Sequence, residues 1–345
     1  MLRLPSPRHG FPQFRLRLLE IVKEYGIDQV LPTCEEAFYV SRMKDDFPSQ
    51  VKVWVPGFSA IRKLHQKASF NAWVKELGLD APETTSVTSS NELQAHLRGL
   101  AGNQKWVLKP AYSRFAAHAR IGFPSDLLSS VPRAASSPEN PTLVQEWIQG
   151  KEYCTYAFAD EGKVLAISTY HHEFRAGAGA GICFEPVFHS GIEAWIQDFV
   201  ARTGVTGQIS FDFIETAEGK LYPLECNPRA TSGLHLLAGD PSFASLFLGQ
   251  RPSGLIRPQR ESAAMLGLAM WVYGLPSIRS LASLANWIRI TFTARDCIFS
   301  WRDPFPFFYQ FVMFGYFIAL ARRKGISELE ATTEDIEWNG ETIAS

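Results

Sequence analysis

Three polar side chains alternate in the stretch LYPLECNPRA, residues 221–230: Glu225, Asn227 and Arg229 stand two residues apart. Side chains two residues apart lie on the same face of a β-strand, so these three would share one face. Carboxylate and amide oxygens are the ligands that hard divalent cations prefer. The stretch therefore raises the hypothesis of a metal site on a strand.

A second acid is predicted to face Glu225. GQISFDFIETAEGKLYPLEC has the alternation of a β-hairpin with its turn at AEGK, and the register that pairs Glu215 with Tyr222 also pairs Asp212 with Glu225. Facing carboxylates repel by up to about 1 kcal/mol unless a cation lies between them. Asp212, Glu225 and Asn227 are thus candidate ligands of Mg²⁺ or Mn²⁺. A solvated hairpin with scattered acids is the alternative, and a slip of one residue would turn the acids to different faces.

Two lysines have settings that suit phosphate binding. Lys109 ends the apolar run WVLKP, where the following proline holds its backbone extended, and Lys67 begins the predicted helix KASFNAWVKEL. Both could equally be ordinary surface lysines, whose stems lie along the protein while the charge stays in water.

The segment TLVQEWIQGKEY places Glu146 and Glu152 around a turn between two predicted strands. The backbone of such a turn can pair with an adenine edge while an acid accepts hydrogen bonds from ribose hydroxyls. Two solvated acids are the alternative. The glycines of RAGAGAG, residues 175–181, do not lead into a helix, so they predict a loop beside the site rather than a dinucleotide fingerprint.

The predicted elements around these residues give an α+β fold. Amphipathic helices are expected from residue 14 to the stop at Gly26 and over residues 67–77, 90–100 and 192–203. From residue 106 onward, short alternating strands predominate, which favours a mostly antiparallel sheet with helices to one side.

The order of these features resembles the ATP-grasp family, in which two α+β subdomains hold ATP between them. The resemblance covers residues 60–240 and is closest to the biotin carboxylase and carbamoyl phosphate synthetase branch, with GQISFDFIE and LECNPRATSG as its strongest motifs. It implies that Lys67 and Lys109 contact the phosphates of ATP. It also implies that Glu146 and the backbone of Trp147 and Ile148 hold adenine, and that Glu152 reaches the ribose.

The same resemblance assigns the metal and the reacting group. Asp212, Glu225 and Asn227 would hold one or two Mg²⁺ ions on the phosphates, and Arg229 would face the transferred phosphoryl group. Arg175 lies where the family often places substrate or phosphate contacts. His171 and His172 belong to the same stretch, and for them a surface cluster is the alternative.

The activity implied by the family is ligation at a carboxylate: the γ-phosphoryl group of ATP makes an acyl phosphate, and an amine or other nucleophile displaces phosphate. The partners would be small-molecule carboxylates and amines. A second hypothesis is a regulatory ATP-binding protein with impaired catalysis. It is motivated by the absence of glycine between Lys109 and Gly122, where Arg114 or His118 would have to substitute for backbone donors.

Composition limits the remaining possibilities. A formal net charge of −1 gives no nucleic-acid footprint. The five cysteines include no CxxC pair, and their odd number argues against a disulfide framework, so a cytoplasmic location is predicted. The N-terminal residues do not form a secretory signal.

We expect three regions: a partial α/β domain over residues 1–60, an ATP-grasp domain over 61–250 divided near 148–152, and a C-terminal extension over 251–345. The extension contains the apolar stretch FPFFYQFVMFGYFIAL, which Pro306, Gln310 and Gly315 interrupt. The sequence favours a buried or dimer-forming helix there, and hence a possible homodimer. An interfacial membrane helix is the less favoured alternative.

Overall fold

A computed structural model gives the structure for residues 2–112, 119–130, 137–138, 140–176, 180–259 and 263–343. The strands are β1 Gln29–Val30, β2 Lys52–Val53, β3 Thr84–Val87, β4 Trp106–Pro110, β5 Arg120–Gly122, β6 Thr142–Glu146, β7 Lys151–Asp160, β8 Lys163–His171, β9 Arg175–Ala176, β10 Ala180–Gly181, β11 Cys183–Pro186, β12 Gly207–Glu215, β13 Leu221–Asn227, β14 Ala264–Met265 and β15 Arg295–Asp296. The helices are α1 Phe11–Glu24, α2 Glu36–Arg42, α3 Phe58–His65, α4 Lys67–Glu76, α5 Ser90–Gly99, α6 Pro124–Ser130, α7 Ser190–Thr203, α8 Leu234–Leu237, α9 Pro241–Leu246, α10 Gly267–Ala269, α11 Leu281–Thr293, α12 Phe305–Lys324 and α13 Glu328–Ala331.

Two sheets form the central part of the molecule. A four-stranded sheet has the order β3-β6-β4-β5, and a seven-stranded sheet has the order β13-β12-β7-β8-β11-β14-β15. All of their pairings are antiparallel except β14 with β15. Helices α4 and α7 supply Phe70, Phe199 and other apolar side chains to the core against β7, β8 and β12. The α+β prediction is confirmed.

The N-terminal helices enclose a separate apolar core that the end of the chain completes. Phe14 of α1, Phe38 of α2 and Ile61 of α3 pack in one cluster with Trp338 and Ile343. Trp338 is 1% exposed, and its ring lies 5.0 Å from the Phe38 ring. Because so large a ring is buried here, the last residues are part of the N-terminal unit in space.

The predicted hairpin is present with one change of register. Asp212 pairs with Glu225 as expected, but Glu215 pairs with Leu221 rather than with Tyr222. The register shifts between Asp212 and Phe213, so the ladder contains a β-bulge at Leu224. Strand β13 forms the sheet edge, where a proline such as Pro223 is tolerated because no further strand needs its missing N–H.

Helix α12 differs from the expected buried helix. Only 6% of its most apolar stretch is buried, so the prediction of burial within one chain is wrong, while the dimer-forming helix stays a prediction. Leu320 and Ala321, near its C-terminal end, are the buried positions, and they pack against Ala331 of α13. Among the described residues, α12 is the helix whose length and apolar composition would suffice to cross a membrane.

Candidate active site

Two acids meet on the two strands at one edge of the seven-stranded sheet. Asp212 of β12 is paired with Glu225 of β13 on one side and with Cys154 of β7 on the other. The carboxyl groups of Asp212 and Glu225 are close enough to hydrogen-bond each other, and the Cys154 thiol also reaches Asp212. The pairing of Asp212 with Glu225, which the sequence analysis had to assume, is therefore present and brings the two acids together.

Two lysines from other elements converge on the same hairpin. Lys67, at the first position of α4, places Nζ 3.3 Å from Glu225 Oε2, although its side chain is only 5% exposed. Lys109 of β4 donates to the main-chain carbonyl of Leu224 at 3.4 Å. That carbonyl belongs to the bulged residue, so the irregularity in β13 supplies a contact to the lysine from the other sheet.

Burial and charge shift the ionisation of this cluster. Burial and the adjacent Glu225 charge raise the pKa of Asp212. Burial also acts to raise the pKa of Glu225, but Lys67 and Lys109 outweigh it, so the net shift is downward. The pKa of Lys109 falls to about 8, first because of burial, while the charge of Glu225 acts against that shift. The protonation of Asp212 therefore depends on the charge of Glu225 beside it.

Arg229 is fixed by residues from both ends of the chain. Its Nη2 donates to Asn227 Oδ1 at 3.2 Å, and its Nε lies 3.6 Å from Oε1 of Glu35. Glu35 is fully buried, and its Oε2 accepts a hydrogen bond from the Trp338 main-chain N–H at 3.3 Å. The N-terminal unit and the C-terminal segment therefore both contribute to the position of Arg229.

The predicted adenine-binding residues lie where β6 leads into β7. Glu146 accepts a hydrogen bond from the Gln104 side chain, Trp147 N–H donates to the Lys105 carbonyl, and Ile148 is buried. The turn is held close to the hairpin, since a Cβ on Gly150 would lie 2.1 Å from the Glu215 carbonyl oxygen.

The segment where β6 leads into β7, residues 146–152, is called the hinge. It borders the turn end of the β12–β13 hairpin, while Asp212 and Glu225 lie farther along the same two strands. A ligand running from the hinge to the acids would lie along this hairpin.

Glu152 and Arg175 pair with each other in the structure. The two side chains are 55% and 35% exposed, so the pair is open to solvent and to a ligand. His172 Nδ1 lies 3.8 Å from the Cys154 sulfur, which links this stretch to Asp212. Residues 177–179 of the glycine loop, together with Arg114 and His118, lie outside the described residues.

The donor set suits a hard divalent cation. Among the described residues no group of three or more His, Cys, Asp and Glu side chains could hold a metal, so the candidate site consists of two carboxylates and one amide. Asp212 and Glu225 are directly paired across the two strands, which brings two oxygen ligands into one place. Asn227 Oδ1 accepts from Arg229, but a carbonyl oxygen has a second lone pair. Mg²⁺ takes few protein ligands and fills its octahedron with water and phosphate oxygens, so the residues fit it.

Sequence reasoning missed Glu35 and Trp338. Glu35 is one of two adjacent acids in the segment PTCEEAF, and nothing in that pattern distinguishes it from the less buried Glu36. Trp338 contacts Glu35 across 303 residues of sequence. Contacts of that separation leave no local pattern, although a tryptophan among charged residues near a chain end is a signal that could have been noticed.

Comparison with known proteins agrees with this geometry. Residues 64–233 match the model of the ATP-grasp domain family. The matched segment contains both lysines, the hinge, both acids and Arg229. The predicted family is thereby confirmed.

Solved structures with the same fold include three ligases or carboxylases. N5-carboxyaminoimidazole synthetase from Staphylococcus aureus complexed with ADP superposes with a TM-score of 0.55 at 14% identity, over 71% of this chain and 66% of that one. The biotin carboxylase domain of 2-oxoglutarate carboxylase from Hydrogenobacter thermophilus gives 0.53 at 14% identity, over 70% and 58%. The L-amino acid ligase from Bacillus licheniformis gives 0.51 at 14% identity, over 67% and 56%.

These identities establish a shared fold. This chain spans between 56% and 66% of the length of the three structures, so each of them has regions without a counterpart here.

Proposed function

We propose that this protein is an ATP- and Mg²⁺-dependent ligase that activates a carboxylate as an acyl phosphate for attack by an amine or another nucleophile. The observation that carries the proposal is the convergence of Lys67 and Lys109 on the Asp212–Glu225 pair within an ATP-grasp domain. Two of the compared structures contain ADP or MgADP, which supports the same nucleotide and metal for this fold.

In this proposal, each group in the site binds or neutralises the negative charge of the ATP phosphates. Lys67 and Lys109 bind the phosphates of ATP, leaving their present partners, Glu225 and the Leu224 carbonyl. Asp212, Glu225 and Asn227 would hold the magnesium ion, which when bound neutralises phosphate charge. Phosphoryl transfer needs little covalent help from a protein, because positioned cations stabilise the charge that spreads over the transferred group.

Arg229 lies two residues beyond Asn227, in the bend that follows β13, rather than on the strand itself. A carboxylate oxygen of the substrate attacks the γ-phosphorus, the bond from that phosphorus to the bridging oxygen breaks, and ADP leaves. The guanidinium of Arg229 would bind the transferred phosphoryl group, with Glu35 and Asn227 holding it in place. A nucleophile such as an amine then attacks the acyl carbon, loses a proton to the solution, and phosphate departs.

The nucleotide base and ribose are assigned to the hinge. Glu146 and the backbone of Trp147 and Ile148 would bind adenine, and Glu152 would accept from ribose hydroxyls after release from Arg175. Arg175 is then available to the phosphates or the substrate. The buried Ile148 offers an apolar contact to the base.

Substrate-stimulated release of ADP tests the ligase directly. The protein is incubated with MgATP and pools of amino acids and small carboxylates, and ADP is measured for each pool. We expect at least one pool to raise the rate, and Lys109→Met to abolish that increase. Lys163→Met, which changes an exposed lysine at the start of β8, is the matched control and should keep it.

The regulatory hypothesis predicts a different result. MgATP would bind with an affinity that Lys109→Met weakens, and no pool would stimulate ADP release. The proposed ligase would be contradicted by that combination, whereas stimulation that survives Lys109→Met would contradict the role of this lysine.

A further inference from the structure

Helix α12 exposes a continuous set of aromatic side chains that the proposed ligase site does not use. Phe305, Phe308 and Phe311 are 78%, 60% and 53% exposed, and Trp301, just before the helix, is 90% exposed. The helix with Trp301 is called the apolar ridge below. Exposed patches of this kind mark interaction surfaces in soluble proteins.

The exposed positions extend around most of the helix. At 100° per residue, the positions of Phe314, Phe311, Phe308, Phe305 and Tyr309 cover an arc of about 220°. A helix that packs on a protein typically presents an apolar stripe little wider than about 100°. A lipid phase can cover a much broader arc, because acyl chains adapt to any shape.

Both ends of the ridge are attached to the same folded body. Before the helix, β15 is part of the seven-stranded sheet. After it, Leu320 and Ala321 pack against Ala331, and Trp338 enters the N-terminal core. A span across a bilayer would place these two ends on opposite sides, which would remove Trp338 from that core. The helix can therefore lie in a membrane surface but cannot cross it in this fold.

Basic side chains frame the ridge. Residues 270–325 contain seven Lys and Arg but only two Asp, in a chain with a net charge of −1. Arg302 stands before the helix beside Asp303, and Arg322 and Arg323 stand at its end, so the C-terminal end is the more strongly positive. Anionic headgroups attract such residues by about 1 kcal/mol for each one near the surface.

We infer that the protein docks on anionic phospholipid bilayers through the apolar ridge, with α12 lying in the plane of the interface. A second copy of the chain is a poorer occupant. A parallel pair of helices would bring Arg322 and Arg323 of the two copies together, and in either orientation one partner helix covers a stripe of about 100°, much less than the exposed arc. The apolar arc contacts the acyl boundary, and the basic ends contact the headgroups.

Flotation of the full-length protein with preformed vesicles tests the inference. The vesicles are phosphatidylcholine alone, or phosphatidylcholine with about one third phosphatidylglycerol. We expect the protein to float with the anionic vesicles. The double variant Phe308→Ser with Phe311→Ser should lower partitioning by at least about tenfold, because both side chains lose apolar contact with lipid.

Two further variants distinguish specific binding through the apolar ridge from nonspecific adsorption to lipid. Leu16→Ser with Leu248→Ser changes side chains that are 58% and 76% exposed elsewhere, and it should leave flotation unchanged. Arg322→Gln with Arg323→Gln should weaken binding to anionic vesicles by about thirtyfold, from about 1 kcal/mol for each charge, while leaving binding to neutral vesicles unchanged. Thermal unfolding confirms that each variant is folded.

Three results would overturn the inference. The first is no flotation with anionic vesicles, and the second is equal flotation of the Phe308→Ser, Phe311→Ser protein. The third is a dimer in light scattering without vesicles that the same double variant converts to monomer, together with no flotation. For the in-plane placement, external protease should remove a C-terminal tag completely from vesicle-bound protein; a protected tag would contradict it.

Discussion

Glu35 was not among the site residues predicted from the sequence, but it contacts one of them, Arg229. It is buried, and it joins Arg229 to the main chain of Trp338. Removing one partner of a buried ion pair is costly, because the remaining charge loses the group that offset its desolvation. The acid therefore acts on Arg229 through position and charge, without facing a ligand itself.

Glu35→Gln should lower the free energy of unfolding by about 3 kcal/mol, because Arg229 would keep its buried charge without the carboxylate. Urea denaturation measures this loss. Glu20→Gln, at a side chain that is 62% exposed, is the control and should change stability by less than about 0.5 kcal/mol. Equal stability of the two variants would show that Glu35 does not hold Arg229.

The β12–β13 hairpin shows which strand pairings a sequence pattern can predict and which it cannot. Alternation in β12 and β13 predicted that Asp212 faces Glu225, and this pairing is confirmed. The same reasoning paired Glu215 with Tyr222, which is wrong because Leu224 is bulged. An alternation pattern assumes a regular ladder, so it cannot anticipate an extra residue whose carbonyl meets Lys109 from another sheet.

The hinge between the two sheets requires a glycine at position 150. A Cβ there would lie 2.1 Å from the Glu215 carbonyl oxygen and 2.6 Å from Ile214 Cγ2. Gly150→Ala should therefore force the β6–β7 turn away from the hairpin and lower stability by about 1–3 kcal/mol. Thermal unfolding and ATP affinity measure the two effects.

Gly99→Ala is the matched control for that change. Gly99 ends α5, and a Cβ on it meets nothing within 4 Å. The substitution should leave stability unchanged or raise it by up to about 1 kcal/mol, since alanine favours the helix. If Gly150→Ala behaves in the same way, the close approach of hinge and hairpin is not present in solution.

In the whole molecule, the last residues of the described chain pack into the core of the N-terminal unit, so the stability of that unit depends on them. The aromatic rings of Phe38, Tyr112 and Phe58 surround Trp338. A sequence can indicate that each of these residues is apolar and suited to a core. It cannot show that positions separated by three hundred residues share that core, because no local periodicity connects them.

Trp338→Ala should lower the free energy of unfolding by about 3–5 kcal/mol, because it leaves a large cavity in the N-terminal core. Trp301→Ala removes the same side chain at a position that is 90% exposed, and it should change stability by less than about 0.5 kcal/mol. Urea denaturation of both variants provides the comparison. Similar losses in the two would place Trp338 outside the core.

His65 makes stability depend on pH. It is buried beside Phe38 and Trp338, and burial, followed by the charges of Lys67 and Arg229, lowers its pKa to about 3. The unfolded-state pKa is about 6.5, so below that pH the unfolded chain binds a proton that the folded protein excludes. The contribution of neutral His65 to the free energy of unfolding is therefore fully present above pH 6.5, and it is lost progressively as the pH falls towards 3.

The expected loss from His65 between pH 7 and pH 5 is about 2 kcal/mol. In His65→Gln, the difference in unfolding free energy between these two pH values should shrink by that amount, whatever the substitution itself costs at pH 7. Urea denaturation at both pH values gives the comparison. The same pH difference in both proteins would contradict a buried, neutral His65.

The most direct test of the proposed site is the calorimetry of ATP binding with Mg²⁺ and with a chelator. We expect ATP to bind tightly only when Mg²⁺ is present. Glu225→Gln should weaken ATP binding in the presence of Mg²⁺ by at least about tenfold, because the variant lacks one carboxylate ligand of the metal. Glu218→Gln, in the exposed hairpin turn, should retain it. ATP affinity that is the same with and without Mg²⁺, or that Glu225→Gln leaves unchanged, would contradict the assignment of the Asp212–Glu225 pair.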